Sequence, residues 1–134
     1  MAEIIEYTAI KSYTDIEQSK KLAKILPIES ADMWHHGFFH PLRMCKIEYN
    51  PPAPYHSVNS QWDCPCWSLA ALLGVIPKQI KNNVLRVDID EKNFSIWYDE
   101  LEYGVNSELP DIIMECPVDA CVELIIKLHE LKML

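Results

Sequence analysis

The sequence predicts an α+β fold: a small, mostly antiparallel sheet from two hairpins, with about three helices packed on one face. Three observations carry this. Residues 84–90 and 94–101 alternate apolar and polar side chains with the two-residue period of a half-buried strand. Residues 117–131 place apolar side chains at helical spacing behind a proline suited to a first helical turn. Thr14-Asp15-Ile16-Glu17 has the form of a capping box ahead of a second such segment. The 134 residues suggest one globular domain, 1–134. A chain of this size buries roughly two-thirds of its unfolded surface and needs no metal or disulfide to fold.

The elements follow in order. In the first helix the Thr14 oxygen and Glu17 satisfy free N–H groups reciprocally. Ile16, Leu22, Ala23 and Leu26 make its apolar face, and Lys20, Lys21 and Lys24 suit the negative end of its dipole. Pro27 stops it. Residues 32–49 read as extended, with runs at Met33–His36 and Arg43–Tyr49 flanking a turn from Gly37 to Pro41. In the second run Arg43, Cys45, Ile47 and Tyr49 are the expected core side. Pro51-Pro52-Ala53-Pro54 is a stiff surface loop. Residues 65–73 read as the second helix. The alternating segments form a hairpin around Glu91-Lys92-Asn93, with Leu85, Val87 and Ile89 on one face and Arg86, Asp88 and Asp90 on the other. In the last helix Val118, Cys121, Val122, Ile125 and Leu128 form the buried stripe, and Glu123 and Lys127 a favourable i,i+4 pair. The expected core contains Leu22, Leu26, Cys66, Leu69, Ala70, Leu73, Leu85, Val87, Ile96, Cys121, Val122 and Ile125.

Net charge is −8 and unevenly spread. Residues 1–85 balance eight acids against eight Lys or Arg, whereas residues 86–115 hold nine acids and only Arg86 and Lys92. Such a field repels phosphate backbones, which argues against direct nucleic-acid binding and is compatible with a basic protein surface as partner. The plain alternative is a solvated acidic hairpin that keeps the protein soluble. Only three glycines occur, and neither glycine-rich phosphate-binding pattern is present. The start, M-A-E-I-I-E-Y-T, has no basic or apolar signal region, and the longest apolar runs are too short for a bilayer span. Five cysteines, an odd number, predict reduced thiols and a cytoplasmic location.

One stretch, Q-W-D-C-P-C-W-S-L at 61–69, admits three readings. Cys66 beside Trp67, with Gln61 upstream, resembles the nucleophile segment of papain-like proteases. That would make the chain a cysteine-dependent amidase or protease, using Cys66 or Cys64 as a thiolate at a helix N-terminus. However, one residue separates the cysteines where that segment has two. The base would be His129, or one of His35, His36, His40 and His56 preceding the nucleophile. Second, Cys64 and Cys66 could join two of those histidines in a zinc-stabilised module, although C-x-C is tighter than the usual knuckle. Third, the stretch is a helix start: Asp63 or Cys64 caps, Pro65 sits in the first turn, and Cys66 is a small buried hydrophobe. The third reading needs no special geometry and is the one adopted. It assigns no catalytic residue, metal or cofactor.

A second candidate is an aromatic window: Trp34, His35, His36, Phe38, Phe39, His40, Tyr55, His56 and Trp62. Aromatic side chains on loops are frequent in binding surfaces, and equally serve as a lid on a core. The expected interaction surface is therefore Trp34, His35, His36, Phe38, Phe39, Tyr55, His56 and Trp62 together with Asp88, Asp90 and Asp99. Its partner is an unknown protein, or a second copy of the chain.

The segments Y-T-D-I-E-Q-S-K-K-L-A-K-I-L-P-I-E-S-A-D-M at 13–33, C-W-S-L-A-A-L-L at 66–73 and P-V-D-A-C-V-E-L-I-I-K-L-H-E-L at 117–131 resemble a group of small proteins encoded in gut-bacterial genomes and their phages or other mobile elements. The resemblance implies a setting, the bacterial cytoplasm during phage or mobile-element expression, and carries no activity or site residue. The functional expectation is a small non-enzymatic interaction protein.

Overall fold

The computed structural model describes residues 11–35, 53–54, 63–100 and 109–134. Its elements are α1 (Ile16–Ala23), a 3-10 turn (Ile28–Ser30), β1 (Met33–His35), β2 (Ala53–Pro54), β3 (Cys64–Cys66), α2 (Leu69–Val75), β4 (Gln79–Ile80), β5 (Asn83–Ile89), β6 (Phe94–Glu100), β7 (Asp111–Met114) and α3 (Pro117–Glu130). This is a small α+β fold. The described strands divide into two antiparallel sheets, β2-β1-β3 and β4-β5-β6-β7.

The predicted hairpin is the spine of the larger sheet. β5 and β6 pair from Asn83↔Glu100 to Ile89↔Phe94. Their turn is held by Asp90 Oδ1, which accepts from the N–H groups of Lys92 at 2.8 Å and Asn93 at 2.7 Å. Directly paired residues share a face. Leu85, Val87, Ile89, Phe94, Ile96, Tyr98, Ile112 and Met114 therefore point one way, and Val84, Arg86, Asp88, Ser95, Trp97, Asp99, Asp111 and Ile113 the other. Helix α3 packs on the first face over β6 and β7. It buries Phe94, Ile96, Tyr98 and Ile112 against its own Val118, Cys121, Val122, Leu124, Ile125 and Leu128. The anticipated Glu123–Lys127 pair is present at 3.7 Å.

Ala53 and Pro54, expected in a stiff surface loop, instead pair with β1 as strand β2. Three further expectations are corrected. The first helix is capped by Asp15, not Thr14. Asp15 Oδ1 accepts from Gln18 N–H at 2.8 Å, and Asp15 N–H donates to Gln18 Oε1 at 3.1 Å. The box is one residue later because Thr14 is fully buried and its hydroxyl is used elsewhere. Second, residues 64–66 are a strand. The helix begins only at Leu69, where the Ser68 hydroxyl accepts from Ala71 N–H at 3.2 Å. Pro65 is compatible with β3 because, among the described residues, β3 is an edge strand, where a missing N–H is tolerated. Third, the predicted core is wrong at Ala70 and Val87, both exposed, and lacks Leu72, Trp67 and Leu124, all fully buried.

The two halves are joined by the segment before α1. Thr14 N–H donates to the Trp67 carbonyl at 2.9 Å, and Leu69 N–H to the Ser12 carbonyl at 3.1 Å. The entry to α1 and the entry to α2 are thus zipped together. Across the molecule, Gln18 Nε2 donates to Asp119 Oδ1 at 2.7 Å and Lys11 pairs with the same carboxylate, tying α1 to α3. Among the described residues, no helix is long and apolar enough to cross a membrane. The run Arg43–Tyr49, including Cys45, lies outside the described residues.

Candidate functional site

The cysteine stretch and one member of the aromatic window meet in a single buried cluster. In the β1–β3 ladder His35 lies opposite Cys64, and Met33 opposite Cys66. Alternate strand residues share a face, so His35, Cys64 and Cys66 point the same way, and α1 packs against β3. Thr14 is the hub. Its carbonyl accepts from His35 Nε2 at 3.0 Å and from Cys66 Sγ at 3.4 Å. Its hydroxyl accepts from Trp67 N–H at 3.1 Å and lies 2.8 Å from Ser19 Oγ. The Tyr13 ring meets His35 edge-on, with centroids 6.3 Å apart.

This arrangement places a histidine beside two cysteines, as a thiol enzyme requires, but the chemistry points the other way. A carbonyl only accepts, so His35 carries its proton on Nε2 and spends it on Thr14. Cys64 Sγ is directed at the Pro65 carbonyl at 3.6 Å. Burial pushes Cys64 up to about 11, reinforced by its neighbour Cys66, and burial likewise pushes Cys66 up to about 11. A nucleophilic cysteine needs the opposite shift, toward a thiolate at neutral pH. Nor does Cys66 open a helix whose dipole could lower it, because it closes a strand. Of the zinc set, Cys64, Cys66 and His35 are described, and no group of three or more His, Cys, Asp or Glu among the described residues could hold a metal ion.

The aromatic window is corrected where the structure describes it. Trp34 is 2% exposed and His35 5% exposed, so both are core residues and neither belongs to an interaction surface. The reason is the second sheet: β1 is its central strand, with neighbours on both edges, and α1 lies against β3 beside it. His36, Phe38, Phe39, His40, Tyr55, His56 and Trp62 lie outside the described residues. His129 is exposed on the last turn of α3, with Nδ1 3.3 Å from the Leu134 carbonyl, far from either cysteine in the chain and engaged locally.

The acidic hairpin occupies a surface. Asp88, Asp90 and Asp99 are all exposed. Asp88 and Asp99 project from the sheet face opposite α3, and Asp111 joins them from β7. Pairing makes three rows across this face: Val84–Asp99, Arg86–Trp97–Asp111 and Asp88–Ser95–Ile113. Half-buried Trp97 is central, and Ile113 is 61% exposed. None of these side chains is classed as buried. Arg86 stands 3.9 Å from Asp99 as a loose, exposed pair. Asp111 and Ile113 were missed as surface residues in the sequence because the short strand β7 carries no strong alternation of its own; Trp97 lies on the alternating strand β6, on the face opposite Phe94, Ile96 and Tyr98. The face carries three carboxylates and one arginine around an aromatic and an aliphatic side chain. No protein-family model, no curated protein and no solved structure matches the chain.

Proposed function

We propose that the chain is a small non-enzymatic interaction protein that presents the outer face of its four-stranded sheet to a basic surface of another protein. The observation that carries this reading is that face itself: Asp88, Asp99 and Asp111 stand around Trp97 and Ile113, and none of its side chains is buried. A field of that sign steers basic partners toward the sheet and repels phosphate backbones, so the partner is a protein rather than a nucleic acid. In the bacterial cytoplasmic setting implied by the resemblance, nucleic-acid-binding host proteins are a natural class, because an acidic sheet can occupy the surface they use for phosphates.

The test is capture from bacterial lysate by the wild-type chain and by the variant Asp88→Lys/Asp99→Lys/Asp111→Lys, which leaves the turn-holding Asp90 in place, with thermal melts to confirm that both are folded. All three positions are exposed, so the fold should survive. The wild type should recover partners that are released by salt and competed by duplex DNA, and the variant should lose them. Recovery of the same partners by both chains would sink the reading.

A further inference from the structure

We propose that β5 accepts an added strand: the partner contributes an extended segment that pairs antiparallel along Arg86–Ile89, with apolar side chains beside Val87 and Ile89 and a Lys or Arg opposite Asp88. This deepens the interaction reading and rests on it.

Three features of β5 support strand addition. The first is an open edge. β4 pairs with only Asn83 and Val84, and Leu85 N–H closes that short ladder on the Lys78 carbonyl at 2.9 Å. In an antiparallel ladder the N–H and C=O of one residue point to the same side and alternate along the strand. Leu85 points away from β6, and Asp90 N–H donates back across the hairpin to the Asn93 carbonyl at 3.0 Å. The backbone groups of Val87 and Ile89 therefore point outward, and among the described residues no strand pairs with them. The second feature is apolar. Val87 and Ile89 share the helix-packed face with Ile96 and Phe94 but lie beyond α3, and they are 45% and 73% exposed. An added strand would extend the core face over them. The third is charge. Asp88, Asp90 and Glu91 are exposed along the same edge and turn, whereas Arg86 is already placed near Asp99. Unpaired edges of this kind are the usual template for strand addition, with backbone bonds supplying affinity and alternate side chains specificity.

A second copy of the chain fits this edge poorly. Two-fold pairing about Val87 would put Ile89 of the copy where the Lys78 carbonyl already meets Leu85. Pairing about Asp88 would set Asp88 against its own copy, and pairing about Ile89 would set Asp88 against Asp90. A heterologous segment with apolar–basic–apolar alternation avoids both faults.

The probe is a capped octapeptide alternating isoleucine and lysine, titrated into the isotope-labelled full chain. A twin carries N-methyl groups on the peptide nitrogens that would face β5. Strand addition predicts that the Val87 and Ile89 amides gain protection from exchange, and that the twin binds at least about tenfold more weakly, as loss of one or two backbone hydrogen bonds implies. Val87→Pro removes an outward N–H without removing a bond to β6, and should weaken the unmodified peptide similarly while the chain keeps its fold. If that variant does not fold, the methylated twin still decides. Equal binding of the two peptides, or no binding up to millimolar concentration, overturns strand addition. If those results accompany loss of lysate partners on charge reversal, the acidic interface survives and its mode is different. If charge reversal also changes nothing, both readings fall. Concentration-dependent dimerisation that protects the same amides would show that a second copy takes the edge and would overturn the proposal as stated.

Discussion

Thr14 shows how much one side chain can organise. It was expected to cap a helix at the surface. Instead its hydroxyl is fully buried and receives the Trp67 N–H at 3.1 Å. Replacement by valine keeps the shape and removes the acceptor, leaving a buried amide without its partner. Thr14→Val should therefore cost about 1–3 kcal/mol in urea denaturation, with little change in the slope. A cost near zero would mean that the Trp67 amide has another acceptor. His35 is the second such residue. Its Nε2 proton is engaged by Thr14, and among the described residues its Nδ1 has no partner. Desolvation lowers its pKa below the ordinary histidine value, and the Thr14 carbonyl only partly offsets this. Below about pH 6.5 the unfolded chain binds a proton that the folded chain resists. Stability should fall as pH drops through 6.5 toward the lower folded value. His35→Gln can retain a donor to Thr14, and should melt with a shallower dependence between pH 7.5 and 5. Identical pH profiles for the two proteins would remove His35 as the cause. The cysteines complete the residue-scale picture: both thiols in the C-x-C stretch are held protonated by the same burial that makes them useful as packing groups.

At the scale of elements, the body of α2 and the end of α3 each carry a residue whose conformational preference is reversed. Lys132 follows α3 with φ 59°, in the left-handed region where glycine is favoured. Its N–H donates to the His129 carbonyl at 3.0 Å, and Met133 N–H to the Leu128 carbonyl at 2.9 Å, the pair of bonds that closes a helix in this way. Lys132→Gly should stabilise the chain by about 0.5–1 kcal/mol, read as a higher melting temperature. Gly74, by contrast, is inside α2, exposed, with open space where a Cβ would stand. Gly74→Ala should also stabilise, by about 0.5–1 kcal/mol. A lower melting temperature for either variant would contradict the local geometry. The strand at Cys64–Cys66 teaches a related lesson. In the sequence, Cys66, Leu69, Ala70 and Leu73 have the i, i+3, i+4, i+7 spacing of a helical stripe, but Cys66 lies in the strand and the other three in the helix. The true start signal is Ser68, three residues before the Ala71 N–H that it accepts.

For the whole molecule, coverage of the larger sheet is decisive. One face carries α3 and the core, while the other has no buried side chain among the described residues. That core includes Leu124, fully buried on α3, a residue outside the expected stripe. The stripe was too narrow because this helix is covered by the sheet on one flank and by α2 and α1 on the others. Leu124→Ala should cost about 2–5 kcal/mol, more than any surface variant named above, and a cost below about 1 kcal/mol would show that the site collapses around the cavity. The acidic variants should leave the melt almost unchanged, since exposed charge pairs such as Arg86–Asp99 contribute little to stability.

What was legible in the chain alone was local. The period of two at Leu85–Ile89 and Phe94–Tyr98, the proline-opened helix at Pro117, the Glu123–Lys127 pair and the acidic run all depend on neighbours within a few positions, and the structure contains each of them. The α+β class follows from those elements, because an amphipathic helix and a one-faced hairpin must bury their apolar sides against each other. What folding in three dimensions decided was every feature that joins distant segments. Thr14 turns inward because Trp67, fifty-three positions away, presents a buried N–H. Residues 64–66 are a strand because β1 offers a ladder that no local spacing announces. Val87 is exposed although it alternates correctly, because α3 covers β6 and β7 and stops short of β5. Periodicity marks which side of an element is apolar, whereas only packing determines whether another element arrives to cover it.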